Sequence, residues 1–375
     1  MIYLDNAATT RLDKDAFEAM KPFLLEDYGN PSQPYSFARE PKKAVLHARE
    51  TIAECIGADP DEIYFTSGGT ESDNWVIKSS MFSNPDKHAI ITSAFEHHAV
   101  LNSCATIERF GYPVAYMLPN QNGVVTAEIL EKYITKQTYL VSVMSANNEI
   151  GSIQPIDELC KITHEYGALF HTDSVQAVGH IPIIVHELGV DMLSASAHKF
   201  NGPKGAGFLY VRKGINIHPH NDGGAQERKK RAGTENVAGI VGMAVALKKN
   251  CDQMAGTTQK LIRMEHALID LLSEHNIHFI QNGSPDNHLP GLLSLAFPGF
   301  EGEALLHRLD LMGISVATGA ACDSKETQIS HVLQAIGLDH SQARSTIRIS
   351  FGRFNDMSDV DNLAKAIIKV VNNQR

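Results

Sequence analysis

Seven short apolar runs alternate with helix-compatible segments between residues 63 and 211, and this alternation limits the folds open to the chain. Strands that alternate with helices favour a mostly parallel sheet covered by helices on both faces. The sequence therefore predicts an α/β fold. The predicted strands are Ile63–Thr66, Ala89–Thr92, Val114–Leu118, Tyr139–Met144, Ala168–His171, Met192–Ala195 and Gly207–Val211.

A lysine follows the sixth of these runs. Ser196, His198 and Lys199 stand where the strand pattern stops, and glycines follow them at 202, 205 and 207. Glycine lets the backbone approach a bound group closely. A desolvated lysine amine can bind an aldehyde cofactor covalently. The alternative is a surface lysine beside a glycine turn, so the interpretation depends on partner residues.

Two more strand ends supply such partners. Asp173 follows the run at Ala168–His171 and can pair with a pyridine nitrogen, which makes the ring an electron sink. The segment Ser67-Gly-Gly-Thr70 stands between a strand and a helix, a typical place to bind a phosphate. Ligands collect at the carboxyl ends of strands in an open α/β sheet. Together these positions predict a pyridoxal-phosphate site.

The chain resembles the cysteine desulfurases of the NifS/IscS type, a class V aminotransferase-like group of fold type I pyridoxal phosphate enzymes. The resemblance extends from Tyr3 to Arg353. It rests on the order and spacing of several motifs: Tyr28-Gly-Asn-Pro-Ser32, Phe65-Thr-Ser-Gly-Gly-Thr-Glu-Ser72, Glu96-His97, Asn147-Asn-Glu-Ile-Gly151, Ser196-Ala-His-Lys199, Arg231-Ala-Gly-Thr234 and Thr318-Gly-Ala-Ala-Cys322.

The resemblance implies a PLP-dependent transferase of fold type I, with a mostly parallel sheet flanked by helices in a large domain and a smaller α+β domain. We expect the large domain to span residues 15–256. Residues 1–14 and 257–375 are expected to form the small domain, which carries the catalytic Cys loop.

The resemblance also implies the site residues. Lys199 would bind pyridoxal 5′-phosphate and move the α-proton, His97 would stack on the ring and shuttle protons, and Cys322 would accept sulfur from L-cysteine as a persulfide, releasing L-alanine. Asn148 and Arg348 would bind substrate, and Thr234 would reach the cofactor of the neighbouring subunit in a homodimer. The implied cofactor-binding set is Gly69, Thr70, His97, Asn148, Asp173, Gln176, Ser196, His198, Lys199 and Thr234.

Three assignments have rivals in the sequence itself. His98 adjoins His97, and the residues alone do not show which of the two is functional and which is a solvent-facing residue at a helix start. Asn147 and Asn148 both suit turns, because Asn tolerates a left-handed backbone, and only one of them need be functional. Arg353 competes with Arg348 for the substrate carboxylate.

The loop around Cys322 departs from the commonest family form. Thr318-Gly-Ala-Ala precedes the cysteine where serines are usual, and Asp323 follows it directly. A neighbouring carboxylate opposes thiolate formation by charge repulsion. An aminotransferase or kynureninase-like enzyme of the same fold would not need Cys322, whereas a selenocysteine lyase could use it. A non-catalytic scaffold would not need Lys199 or Asp173.

Composition limits the remaining possibilities. A net charge of −10 argues against direct nucleic-acid binding, and no apolar run is long enough to cross a membrane. The five cysteines are scattered without metal-ligand spacing, so no metal site is predicted and a reducing cytoplasm is expected. The partners expected are a second copy of the chain and a sulfur-acceptor protein that serves iron–sulfur cluster assembly, tRNA thiolation or another sulfur pathway.

Overall fold

The computed structural model describes residues 1–82, 87–318 and 329–372. The strands are β1 (Ile2–Tyr3), β2 (Ile63–Thr66), β3 (Ala89–Ser93), β4 (Val114–Met117), β5 (Thr138–Ser142), β6 (Leu169–Asp173), β7 (Met192–Ser196), β8 (Gly207–Val211), β9 (Ile280–Gln281), β10 (Leu292–Ala296), β11 (Ile314–Ser315), β12 (Ala317–Thr318) and β13 (Thr346–Ser350). The helices are α1 (Lys14–Leu25), α2 (Arg39–Ile56), α3 (Gly69–Ser79), α4 (His98–Glu108), α5 (Ala127–Glu131), α6 (Ile156–Glu165), α7 (Val185–Leu188), α8 (Gln226–Lys229), α9 (Val237–Glu274), α10 (Gly302–Leu311), α11 (His331–Ala335), α12 (His340–Arg344) and α13 (Met357–Asn372).

The seven predicted strands form one sheet in the order β2-β8-β7-β6-β5-β3-β4. Strand β8 runs antiparallel to both its neighbours, and the other pairs are parallel. The predicted fold class, with its mostly parallel sheet, is confirmed. Because β2, β3, β5, β6 and β7 run in the same direction, their carboxyl ends meet at one edge of the sheet.

Alternation along the strands distributes the core over both faces of this sheet. In β5, Leu140 packs with Trp75 of α3 and Val100 of α4, while its neighbour Val141 packs on the opposite face with residues of α2, α6 and α9. Successive side chains of a strand point to opposite faces, so a strand covered on both sides is apolar throughout. This burial explains why the strands are continuous apolar runs.

A second sheet with the order β12-β13-β10-β9 lies in the C-terminal part of the chain, and all its pairs are antiparallel. Its core includes side chains of α10, α13 and the second half of α9. The chain start belongs to the same core, since β1 pairs with β11 and Leu4 is fully buried there. Helix α9 has 38 residues and therefore extends about 57 Å, from one core to the other.

Element ends differ from the predictions where tertiary contacts decide them. Strand β6 continues to Asp173, which pairs with Ser194 of β7, so Asp173 ends the strand instead of following it. Strand β5, the neighbour of β6 in the sheet, was predicted to reach Met144 but ends at Ser142. The N–H of Met144 donates to the Glu96 carboxylate at 2.9 Å. Helix α2 begins at Arg39, directly after a 3₁₀ turn at Ser36–Ala38. No helix among the described residues is long and apolar enough to span a membrane.

Candidate functional site

A cavity of about 390 Å³ lies at the edge where the parallel strands end. Ten of the predicted site residues line it: Gly69, Thr70, His97, Asn148, Asp173, Gln176, Ser196, His198, Lys199 and Arg348. They come from five different strand ends and from β13 of the second sheet. The fold thus gathers into one cavity residues as far apart in sequence as Gly69 and Arg348.

Lys199 stands in a single 3₁₀ turn directly after β7. Its Nζ donates to the carbonyl oxygens of Ala7 at 2.6 Å and Ala8 at 2.9 Å. Burial, reinforced by repulsion from Arg348, lowers the pKa of the Lys199 amine to about 8. A larger fraction of the amine is therefore uncharged near neutral pH than in a solvated lysine, and the uncharged amine is the nucleophile.

Asp173 faces the cavity with a buried carboxylate. Its Oδ1 accepts a hydrogen bond from the N–H of Val175 at 2.9 Å. Burial raises the pKa of Asp173, while His97, that N–H and Lys199 act in the opposite direction. A protonated ring nitrogen next to this carboxylate would supply the positive charge that a buried anion needs.

The N-terminus of α3 forms the polar end of the site. A second opening of about 310 Å³ shares Gly69, Thr70, Ser196 and His198 with the main cavity. Gly69 begins the helix, and a Cβ at this position would lie 2.4 Å from Cγ2 of Val175, so only glycine fits without a shift. The first N–H groups of a helix have no partner within it and favour an anion.

The structure separates the two adjacent histidines. His97 lines the cavity and caps α4, because its Nδ1 accepts from the N–H of Ala99 at 3.1 Å. In a neutral ring this acceptor role places the proton on Nε2. Burial lowers the pKa of His97. Both side chains are exposed in this single chain, but His98 does not line the cavity and packs edge-on against His331, with ring centroids 4.7 Å apart.

The two adjacent asparagines also have different environments. Asn147 is buried, and its Oδ1 accepts from the N–H groups of Glu149 and Ile150, which is turn chemistry. Asn148 lines the cavity, and its carbonyl oxygen accepts from Arg348 at 2.8 Å. Gln176 donates from Nε2 to Ala7 O at 2.8 Å.

Arg348 reaches the cavity from β13, while its rival Arg353 does not line it. The Nη2 of Arg348 pairs with Asp5 at 2.7 Å, and its buried Nε has no hydrogen-bond partner within the described parts of the chain. Arg353 pairs with Asp13 at the start of α1. The arginine that faces the cavity therefore combines an ion pair with an unused donor.

The two other predicted site residues are Thr234 and Cys322. Thr234 is exposed and lines neither opening in this single chain. Its loop approaches the polar end through Arg231, whose Nε donates to Glu71 of α3 at 2.7 Å. Cys322 and its neighbour Asp323 lie outside the described residues.

Two acidic residues near the site were missed by the sequence interpretation. Asp73 lines the cavity and is 1% exposed, and Asp5 pairs with Arg348. One signal for Asp73 was available, because it stands four residues after Gly69 and three before Val76, on the helix face that is otherwise buried. No local pattern points to Asp5, whose partner is 343 residues away in sequence.

The donor set fits pyridoxal 5′-phosphate. Lys199 can bind its aldehyde, Asp173 its ring nitrogen, and the α3 N-terminus with Ser196 and His198 its phosphate. Lys199, Asp173 and Gly69 line the same cavity. Gly69 also lines the opening at the α3 N-terminus, where a Cβ on this residue would collide with Val175. The chain therefore offers complementary groups for the aldehyde, the ring nitrogen and the phosphate of the cofactor.

Comparison with known proteins agrees with this chemistry. Residues 2–363 match the family described as Aminotransferase class-V. The chain is 48% identical to the "Cysteine desulfurase IscS" of Dictyoglomus turgidum over 100% of this chain and 95% of that protein, and 46% identical to the protein of the same name from Methanosarcina thermophila, covering 93% of it. A solved "NIFS-LIKE PROTEIN" superposes with a TM-score of 0.93 at 38% identity and covers 99% of both chains.

Proposed function

The chain belongs to the aminotransferase class-V family as a pyridoxal-phosphate-dependent cysteine desulfurase, and we propose that the cavity around Lys199 is its active site. The convergence of ten predicted residues on this one cavity is the observation that carries the proposal. Lys199 would be the attachment point of the cofactor, Asp173 the partner of its ring nitrogen, and the α3 N-terminus the phosphate site.

Substrate binding follows from the unused donor of Arg348. The guanidinium pairs with Asp5 through Nη2, contacts Asn148 O through Nη1 and keeps Nε unpaired within the described structure. A substrate carboxylate could bind bidentately to Nε and Nη2 if Asp5 yields its contact. Asp5 would then act as a stand-in that holds Arg348 in place until cysteine arrives.

The chemical steps assigned to this chain are proton and sulfur transfer. The bound cofactor supplies an electron sink for the substrate carbanion. Lys199, released from the cofactor, would remove the α-proton of cysteine and return a proton to the product. Cys322, as thiolate, would attack the substrate sulfur, so that a sulfur–sulfur bond forms while the carbon–sulfur bond breaks. A persulfide on Cys322 and alanine result.

We also propose the division into domains expected from the sequence. Residues 15–256 would form the large domain, and residues 1–14 with 257–375 the small domain that carries the Cys322 loop. Two separate hydrophobic cores support this division, one around the large sheet and one around the second sheet. Leu4 and β1 belong to the second core.

The enzyme would work as a homodimer in the cytoplasm and deliver sulfur to an acceptor protein. The exposed position of Thr234, on a loop tied to the phosphate end by Arg231 and Glu71, supports a shared site. The IscS name of its relatives supports an acceptor in iron–sulfur cluster assembly, with tRNA thiolation as the second candidate.

The test is a product balance. Purified protein supplied with pyridoxal 5′-phosphate and L-cysteine under a thiol reductant should release alanine and sulfide in equal amounts. Transfer of the amino group to an added keto acid without sulfide would identify an aminotransferase instead.

Arg348→Lys should raise the KM for cysteine by roughly tenfold or more, because one ammonium cannot replace a bidentate contact, whereas Arg353→Lys should leave KM unchanged.

A further inference from the structure

A second carboxylate lies close to Asp173 and has no role in the mechanism above. Asp73 is 1% exposed, belongs to α3 and lines the same cavity. Carboxylate oxygens of Asp73 and Asp173 and a ring nitrogen of His97 lie within 4.8 Å of one another. Two buried carboxylates this close cannot both be ionised without a large cost, so one of them holds a proton.

The surroundings of Asp73 contain few donors. Its Oδ1 is buried and has no hydrogen-bond partner in the described chain. The closest ring nitrogen, Nε2 of His171, is 3.7 Å away. His171 itself is fully buried between the hydroxyls of Ser142, at 2.8 Å, and Ser194, at 3.0 Å. Burial lowers the pKa of His171 to about 3, so this ring carries no charge that could neutralise Asp73.

Besides the nearby ring of His97, the charged groups that shift the pKa of Asp73 are acids on the neighbouring elements. Burial raises the pKa of Asp73 first, Asp173 of β6 adds to the shift, and Glu96, before α4, acts in the same direction. Among the described residues, a hydrogen bond with Ser194 of β7 opposes them. Burial also raises the pKa of Glu96, to about 8. Asp173, by contrast, accepts a hydrogen bond from the N–H of Val175, and this bond, His97 and Lys199 all act to lower its pKa.

We propose that Asp73 is a positioning residue that remains protonated in the folded enzyme and thereby leaves Asp173 as the single carboxylate anion opposite the cofactor's ring nitrogen. Its neutral acid group would donate a hydrogen bond towards Ser194. The unpartnered Oδ1 would then be the carbonyl oxygen of the acid, which costs less to bury without a donor than a charged carboxylate oxygen does. This assignment rests on the proposed active site and adds to it a residue whose charge state sets that of Asp173.

Stability of the cofactor-free, full-length chain tests the charge state independently of desulfurase activity. An acid whose folded pKa is raised binds a proton in the native state that the unfolded chain loses above about pH 4. Wild-type stability should therefore fall, relative to Asp73→Asn, as pH rises from about 5 to 7. The ratio of folding constants, variant over wild type, should grow by up to about tenfold per pH unit.

Asp13→Asn is the matched control, because it also replaces a buried acid with its neutral isostere. Burial opposes ionisation of Asp13, but hydrogen bonds from Lys249 and Asp15 N and the charge of Arg353 together lower its pKa. Wild type should therefore lose its stability advantage over Asp13→Asn only as pH falls below about 4, and the two curves should run parallel between pH 5 and 7. Parallel curves for wild type and Asp73→Asn between pH 5 and 7 would overturn the proposal.

Infrared spectroscopy of the wild-type protein gives a second readout that does not depend on a variant's ability to fold. A buried protonated carboxylic acid has a C=O stretch distinct from that of a carboxylate. Aspartate labelled with ¹³C should show this band at pH 7 in the cofactor-loaded enzyme, and Asp73→Asn should remove it. A labelled spectrum with carboxylate bands only at pH 7 would refute protonation of Asp73.

Discussion

Burial of charged side chains sets the chemistry of the cavity. Lys199, Asp173 and Arg348 are all mostly inaccessible to water, and each leaves some charge or donor unsatisfied in the free chain. A ligand that supplies an aldehyde, a ring N–H and a carboxylate removes these deficits. The burial that makes these charged groups costly on their own therefore makes ligand binding specific.

Replacement of Lys199 by alanine should abolish covalent attachment of the cofactor and lower turnover by roughly 10² to 10⁴-fold or more, because the base that moves the α-proton is lost. Borohydride reduction and peptide mapping of the wild-type protein should find the label on Lys199. Lys213→Ala, at an exposed position after β8, is the control and should retain both properties. Label on Lys204 or Lys213 would refute the assignment.

The lowered pKa of Lys199 predicts the pH dependence of cofactor uptake. A lysine with a pKa of about 8 is mostly uncharged above that pH, whereas an ordinary lysine becomes uncharged only above about 10.4. The rate of covalent uptake by the cofactor-free protein should rise with pH and level off above a midpoint near 8. Stopped-flow absorbance measures it, and a rate that still climbs at pH 10 would contradict a desolvated Lys199.

Helix α3 connects the proposed phosphate end of the site to its charged interior. Its first residue, Gly69, approaches Val175 after β6 so closely that no side chain fits, and Asp73, one turn later, lies beside Asp173. The position of this one helix therefore fixes both the anion site and the second carboxylate. A shift at its N-terminus should weaken cofactor binding without disturbing the sheet.

Gly69→Ala should therefore weaken binding of pyridoxal 5′-phosphate by roughly tenfold or more, since overpacking of this kind costs about 1–3 kcal/mol. The added Cβ would stand 2.4 Å from Cγ2 of Val175, so the double variant Gly69→Ala with Val175→Ala should recover much of the affinity. Gly256→Ala, in an open and exposed part of α9, is the control. Equal affinities in all four proteins, measured by fluorescence titration, would exclude a close fit at α3.

Local patterns predicted the strands but not the contacts made over long sequence distances. Ile63–Thr66 and Gly207–Val211 were predicted to the residue, because each is an apolar run between polar turns. The reversed direction of β8 was not predicted, since strand direction depends on how the chain returns to the sheet. The pairing of Asp5 with Arg348 likewise arises only when two remote segments fold together.

The same distinction applies to the site. Lys199 and Asp173 could be selected from strand ends and residue chemistry alone, while His97 and Arg348 required the family resemblance. Their environments could not be predicted, because pKa values depend on burial and on neighbours from other elements. Lys199 contacts the carbonyls of Ala7 and Ala8, near the opposite end of the chain.

At the level of the whole molecule, the N-terminal arm joins the two cores to the cavity. Leu4 is buried in the second core, Asp5 pairs with Arg348, and the carbonyl of Ala7 accepts from both Lys199 and Gln176. Thr10 then bonds to the backbone of His198. Movement of one core relative to the other would therefore be transmitted to Arg348 and Lys199, the residues proposed to bind substrate and cofactor.

A mixed dimer tests whether Thr234 completes the neighbouring site. One chain carries Lys199→Ala and the other Thr234→Asp, whose charge should repel the phosphate. If Thr234 acts across the interface, the heterodimer keeps one intact site, with Lys199 from one chain and Thr234 from the other, and about half of wild-type activity. If Thr234 acts within its own chain, both sites are damaged. An active monomer in light scattering would exclude the shared site altogether.

Sulfur transfer to Cys322 is tested most directly by the position of the sulfur itself. The purified enzyme is loaded with pyridoxal 5′-phosphate and given one equivalent of ³⁴S-labelled L-cysteine without reductant. The reaction is then quenched by alkylation and mapped by mass spectrometry. The peptide containing Cys322 should carry one additional ³⁴S atom in proportion to the alanine formed, and Cys55, Cys104, Cys160 and Cys251 should carry none. Alanine formed without label on Cys322, or at an undiminished rate by Cys322→Ser, would contradict the mechanism.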